Sequence, residues 1–198
     1  MRSEAPPLLP ILRSRHLADV LTVLALHPGQ EYTLTELANR VGIPLTTVQR
    51  EAGRLVSAGL VNERRVGRSR LISVNQASRF IKPLTDLVTL AFGPHIAVAE
   101  EFGRLSAVAV GICGSWAARY EGIPGPPPND IDVLVIGDVP REGLYDAADR
   151  TERRVGLPVN PVMVGIARWE AAADPLIQQI RSSPLLWVCG EPPTGGDA

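Results

Sequence analysis

Apolar positions recur at helical spacing in three successive stretches near the start of the chain. Leu17, Val20, Leu21, Leu24 and Ala25 form one stripe over residues 15–27, which Pro28-Gly29 ends. After a short extended piece at Glu31 and Tyr32, either Thr33 or Thr35 can cap a second helix carrying Leu34, Leu37, Ala38 and Val41, and Gly42 terminates it. Pro44 opens a third helix as a first-turn proline, with Leu45, Val48, Ala52, Leu55 and Val56 as its apolar face up to Ala58-Gly59. The pattern then changes to strands. Residues 60–65 and 70–75 read as a hairpin with residues 66–69 at its tip. A further helix follows over residues 79–92, with Pro83 in or near its first turn.

Beyond Gly93-Pro94 the pattern predicts a helix through Ile96, Val98, Ala99 and Phe102, then a strand over residues 107–113 that gives way to Gly114-Ser115. Residues 116–120 open a short helix, and Pro124-Gly125-Pro126-Pro127-Pro128 reads as a loop. A strand over 129–136, a helix over 141–155, and strands over 157–164 and 185–190 complete the second half. The fold class is α+β: a three-helix unit with a hairpin, followed by a small α/β domain with a mixed sheet. The expected division is an N-terminal arm (1–12), the helical unit (13–78), linking or dimerisation helices (79–104), the α/β domain (105–190) and a Pro- and Gly-rich flexible tail (191–198).

Composition changes this picture in two ways. With 45% hydrophobic and 21% charged residues and no membrane-length apolar run, the chain reads as soluble, cytoplasmic and without a membrane partner. Pro6, Pro7 and Pro10 interrupt the only early apolar stretch, which argues against a signal peptide. The net charge of −1 conceals an asymmetry. Residues 1–93 hold twelve Lys and Arg against seven Asp and Glu, a balance of +5, whereas residues 94–198 stand at −6. A polyanion suits the first half and a cation, or a nucleotide with its metal, suits the second. Cys113 and Cys189 have no metal-site spacing and read as free thiols.

The polar face of the third helix carries Thr46, Thr47, Gln49, Arg50 and Arg54. Short hydrogen-bonding groups near its start and guanidinium groups farther on suit a helix that enters the major groove of duplex DNA. The hairpin behind it adds Arg64, Arg65, Arg68 and Arg70, whose mutual repulsion phosphates would relieve. Three helices followed by a basic hairpin, with the Ala58-Gly59-Leu60-Val61 transition, resemble the winged helix-turn-helix domains of ArsR-type and MarR-type bacterial regulators over residues 13–75. The resemblance implies a homodimer on a near-palindromic operator. Metal sensing is not carried over, because no Cys pair lies on these helices.

In the second half, Asp130 and Asp132 stand two apart at the start of a predicted strand and can face one site. Paired carboxylates call for a cation, and Mg²⁺ with phosphate oxygens fits them. Backbone N–H groups at Gly114 and Ser115 can hold those phosphates. Gly-Ser followed fifteen residues later by Asp-x-Asp and a hydrophobic strand resembles the minimal nucleotidyltransferases of the DNA polymerase beta superfamily, over residues 107–190. That resemblance implies phosphate contacts at Gly114 and Ser115, and Mg²⁺ bound with a nucleoside triphosphate at Asp130 and Asp132, the catalytic pair if the site is active. Two departures stand out. The opening reads Gly-Ser-Trp-Ala-Ala-Arg where the family has Gly-Ser-x-Ala-Arg-Gly, and Asn160 occupies the place of a third acid. An amide cannot act as a base. The Val-Asn-Pro strand, with Trp169-Glu170, Asp174-Pro175-Leu176 and the last strand, resembles a subgroup fused behind winged helices in which asparagine is the ordinary occupant. There Asn160 joins the nucleotide-binding set. Glu152 and Glu170 are the alternative carboxylates, though they read as surface residues, and no histidine follows His95.

Two functions follow as expectations. The first is a transcriptional regulator, autoregulating and antitoxin-like, whose second domain binds a nucleotide with Mg²⁺ or a partner protein such as a toxin. The second is an active nucleotidyltransferase that places a nucleoside monophosphate on a protein, RNA or small-molecule acceptor, with the winged helix serving for recruitment.

Overall fold

The computed structural model describes residues 14–193, so the N-terminal arm and residues 194–198 of the tail lie outside the described residues. The chain forms two compact units, one ending at Gly93 and one beginning at Pro94.

In the first unit, α1 (Arg15–Leu26) starts at Ser14, whose hydroxyl accepts the Leu17 N–H at 3.2 Å. Strand β1 (Tyr32–Thr33) leads into α2 (Leu34–Val41). Of the two threonines offered by the sequence, Thr33 is the cap. Its hydroxyl accepts the Glu36 N–H at 3.1 Å, and the Glu36 carboxylate accepts the Thr33 N–H at 2.7 Å, a reciprocal capping box. Gly42, at φ 71°, ends α2 in the left-handed region. Helix α3 (Leu45–Ser57) begins one residue later than the sequence places it. Pro44 is the cap residue with extended backbone, and the first turn starts at Leu45.

The wing is tighter than expected. Strands β2 (Val61–Val66) and β3 (Ser69–Val74) meet through Gly67-Arg68 alone, with Gly67 at φ 58°. A positive φ at only the first position of a two-residue turn matches the right-handed twist of paired strands, so the ladder runs on to Val66 and Ser69. The sheet order is β1-β3-β2, antiparallel throughout. Helix α4 (Ile81–Phe92) packs on α1. Leu24, Leu37, Val48, Ala52, Ile72 and Val88, all essentially inaccessible, join these elements in one core.

The second unit starts with α5 (Pro94–Phe102), so the stretch 79–104 read as linking helices contributes α4 to the first unit and α5 to the second. Strand β4 (Ala109–Cys113) runs directly into α6 (Gly114–Tyr120). Then follow β5 (Ile131–Ile136), α7 (Arg141–Val155), β6 (Val159–Val164), α8 (Ile166–Ala171), α9 (Pro175–Ser182) and β7 (Leu186–Gly190). The sheet is mixed, in the order β6-β5-β4-β7. The α7 crossover makes β5 and β6 parallel, while β4 pairs antiparallel with β5 and β7. Strand β5 is central and apolar on both faces. Ile131, Val133, Leu134, Val135 and Ile136 are inaccessible, leaving Asp132 as its one polar residue. Cys113 and Cys189 are free thiols, and no helix among the described residues is long and apolar enough to cross a membrane.

The capping box makes a direct prediction for the first unit. Thr33→Ala removes a side-chain acceptor from an otherwise unpaired helical N–H, and should lower stability by about 1 kcal/mol in denaturant titrations. Glu36→Ala in the Thr33→Ala background should lower stability further, because the Glu36 carboxylate accepts the backbone N–H of residue 33, which alanine keeps.

Candidate nucleic-acid interface and acidic site

The outer face of α3 exposes Thr46, Gln49, Arg50 and Arg54, with Thr47 half-buried beside them. These positions recur at three, four, seven and eight residues, the spacing of a single helical face. The four wing arginines do not share one state. Arg64 forms a two-point ion pair with Glu31, and Arg70 forms another with Glu63, Nε to Oε1 at 2.9 Å and Nη2 to Oε2 at 2.6 Å. Each guanidinium holds its partner's carboxyl below the usual carboxylate range. The like-charge crowding expected at the wing is therefore relieved partly within the protein. Arg65 and Arg70 are directly opposite in the ladder, and Glu63, two residues from Arg65, neutralises Arg70. Among the described residues Arg65 and Arg68 form no ion pair, and both are exposed.

Sequence reasoning missed Glu51, whose side chain is 2% exposed on the inner side of α3 and paired with Arg50 and Arg54. Its charge hid it, since a carboxylate is read as solvated until packing shows otherwise.

In the second unit the sheet brings the sequence-selected residues together. Asp132 lies opposite Cys113 on β4 and opposite Asn160 on β6, so it sits where three strands meet. Asp130 precedes β5 instead of lying within it, so strand alternation does not set its direction; a shared hydrogen bond does. Asn160 Nδ2 donates to Asp130 Oδ2 at 3.0 Å and to Asp132 Oδ1 at 3.3 Å. Gly114 closes the arrangement. A Cβ built there would lie 2.4 Å from Asp132 Oδ2, and its φ of 74° is in the left-handed region, so two independent constraints select glycine. Ser115 is exposed at the next position.

Burial raises the Asp132 carboxyl above its ordinary range, with the Asp130 charge adding to it, against the lowering effect of the Asn160 hydrogen bond. Burial, with the Asp132 charge, also pushes the neighbouring Cys113 thiol up to about 11, so it is no nucleophile. The remaining acid-base candidates have other roles. His95 packs at a tilt against Trp116 and Tyr120 at ring separations of 5.8 and 5.0 Å, and burial lowers it to about 4, which keeps it neutral. Glu152 accepts the Val159 N–H at 3.4 Å on the approach to β6, and Glu170 is exposed on α8. Arg119, part of the altered opening after Gly114-Ser115, ties down the Pro-rich loop by donating to the carbonyls of Ile123 and Pro126.

The raised Asp132 carboxyl makes stability depend on pH with a definite sign. The folded state binds this proton more tightly than the unfolded state, so the cost of the charge is absent below about pH 4, and is reached in full above the raised folded value. Asp132→Asn should therefore raise Tm relative to wild type at neutral pH, and the gain should shrink as the pH is lowered through the carboxylate range in thermal melts. A pH-independent difference would exclude this origin.

Comparison with known proteins bears on the first unit. Residues 15–65 match the IclR helix-turn-helix domain, a different type from the two named from the sequence pattern. Among solved structures, reduced HlyU from Vibrio cholerae is 20% identical and covers 43% of this chain and 84% of its own, at a TM-score of 0.35. The homodimeric winged helix-turn-helix DNA-binding domain (fragment 1–100) of Mb0332 from Mycobacterium bovis, described as a possible ArsR-family transcriptional regulator, is 24% identical. It covers 46% of this chain and 88% of its own, at a TM-score of 0.30. No curated protein matches the chain. The match of residues 15–65 to an IclR helix-turn-helix domain supports a DNA-binding role in transcriptional regulation.

Proposed function

We propose that this chain is a transcriptional regulator that reads duplex DNA as a homodimer through α3 and the wing, and that its second unit binds a nucleoside triphosphate with Mg²⁺ without efficient transfer chemistry. The observation that carries the first part is the helix-turn-helix match over residues 15–65, joined to a hairpin whose Arg65 and Arg68 are exposed and form no ion pair among the described residues. Thr46, Thr47, Gln49, Arg50 and Arg54 are then the base-reading set, and the wing arginines serve the phosphates. Arg64 and Arg70, already paired with Glu31 and Glu63, contribute less than the other two. Dimerisation and a cytoplasmic site of action belong to the same proposal.

The reading of the second unit is supported by the convergence of Asp130 and Asp132 on one amide nitrogen. Their oxygens are hard ligands of the kind Mg²⁺ takes, and the side-chain carbonyl of Asn160 is another. Gly114, packed against Asp132, and Ser115 would face the phosphates. Bound there, Mg²⁺ would neutralise the acids and the triphosphate together. Transfer of a nucleoside monophosphate would further require a base for the acceptor hydroxyl. Asn160 donates hydrogen bonds to both acids and cannot accept a proton, and Glu152 is engaged with Val159. This favours binding over catalysis. A toxin-like or other partner protein at this unit is the competing ligand class.

Two measurements test the proposal. The full chain should enrich a duplex from a randomised pool. Replacing Arg65 and Arg68 with Gln should reduce the slope of log affinity against log salt by about four for the homodimer, about two per protomer, whereas the same change at Arg64 and Arg70 should reduce it less. Failure to enrich any sequence would sink the regulator reading. Separately, nucleoside triphosphates with Mg²⁺ should raise Tm, and Asp130→Asn should remove the shift. No shift with any of the four common ribonucleotides would remove the nucleotide reading and leave the partner protein.

A further inference from the structure

Glu51 occupies a core position of the helix proposed to read DNA. It lies on the buried face of α3 with Val48, Ala52 and Leu55, where an apolar side chain would fill the space. Its oxygens are held by the guanidinium groups on either side of it in the chain. Arg50 Nε lies 3.2 Å from Oε1, and Arg54 Nη1 lies 3.2 Å from Oε1 and 3.1 Å from Oε2. Those two side chains are themselves 60% and 62% exposed. A carboxylate withdrawn from water in this way is seldom favourable for stability compared with an apolar residue of similar size. Its geometric effect is definite, however. Each arginine is anchored through a single nitrogen, Arg50 by Nε and Arg54 by Nη1, which leaves its remaining donors for the outer face shared with Thr46 and Gln49. A guanidinium fixed before DNA arrives loses less rotamer freedom on binding than a free one.

We propose that Glu51 is a positioning residue for sequence readout, holding Arg50 and Arg54 in the orientation in which α3 presents them to base edges. This rests on the reading of α3 as the recognition helix. It has a signature that a purely structural role lacks. Replacing Glu51 by Gln adds one unit of positive charge at the interface, so attraction to phosphates in general holds or rises, while discrimination between sequences falls. A loss of folding would lower both together.

The probes are a duplex enriched by the wild-type full chain from a randomised pool and a scrambled duplex of the same composition. Glu51→Gln should bind the enriched duplex about ten-fold more weakly, the scale of one good side-chain contact to a base, and the scrambled duplex at least as tightly as wild type does. Glu51→Gln combined with Arg50→Gln and Arg54→Gln should bind the enriched duplex no more weakly than the two arginine changes together, since Glu51 acts through those residues. An unchanged ratio of enriched to scrambled affinity overturns the positioning role, as does a further loss when Glu51→Gln is added to the arginine changes. Should Glu51→Gln not fold, Glu51→Asp carries the test. Aspartate keeps the charge and draws the carboxylate back from both guanidinium groups, so the salt slope should stay and the ratio fall; an unchanged ratio again overturns the role. A wild-type chain that enriches no sequence overturns the recognition-helix reading, and the positioning role with it, before any variant is measured.

Discussion

A carboxylate taken out of water must be met by donors, and each unit of this protein contains an acid under that constraint. In the first, Glu51 is buried along the core face of α3 and draws two guanidinium groups onto itself. In the second, the half-buried Asp132 is the one polar residue of a central, otherwise apolar strand, and is met by the amide of Asn160. Because burying charge is expensive unless it is paired, the neighbouring side chains and backbone are arranged around these acids. Gly114 is the plainest case, since the space a Cβ would need is taken by the Asp132 carboxylate.

The same constraint shapes what each unit can offer a ligand. The basic wing is already half neutralised by Glu31 and Glu63, so its capacity for phosphate is concentrated at Arg65 and Arg68 beside the two-residue turn. The acidic cluster satisfies part of its own charge through one amide, which donates to both carboxylates at once.

Much of this could be read in the chain. The helices showed in the apolar spacing, and the winged arrangement in the order of elements. The Gly114-Ser115, Asp130, Asp132 and Asn160 set showed in residue type and separation, and three strands do bring Cys113, Asp132 and Asn160 side by side. What failed was local. Pro44 fell one position outside the helix because extended backbone suits a proline cap. The hairpin closed by two residues because glycine at φ 58° lets the ladder continue farther than the charge pattern implied. Asp130 fell outside its strand, so its convergence with Asp132 rests on Asn160 and not on alternation.

By itself the sequence determined most of the elements and the chemical character of both surfaces, because periodicity, turn residues and charge are properties of near neighbours in the chain. Tertiary structure alone decided which charges remain available. The pairing of Glu31 with Arg64 spans thirty-three residues, and that of Asn160 with Asp130 spans thirty. Glu51 is adjacent to Arg50 in sequence, yet only its burial in the core makes that adjacency a fixed ion pair. Whether a charge is solvated or paired depends on what the fold packs against it, and no local pattern encodes that.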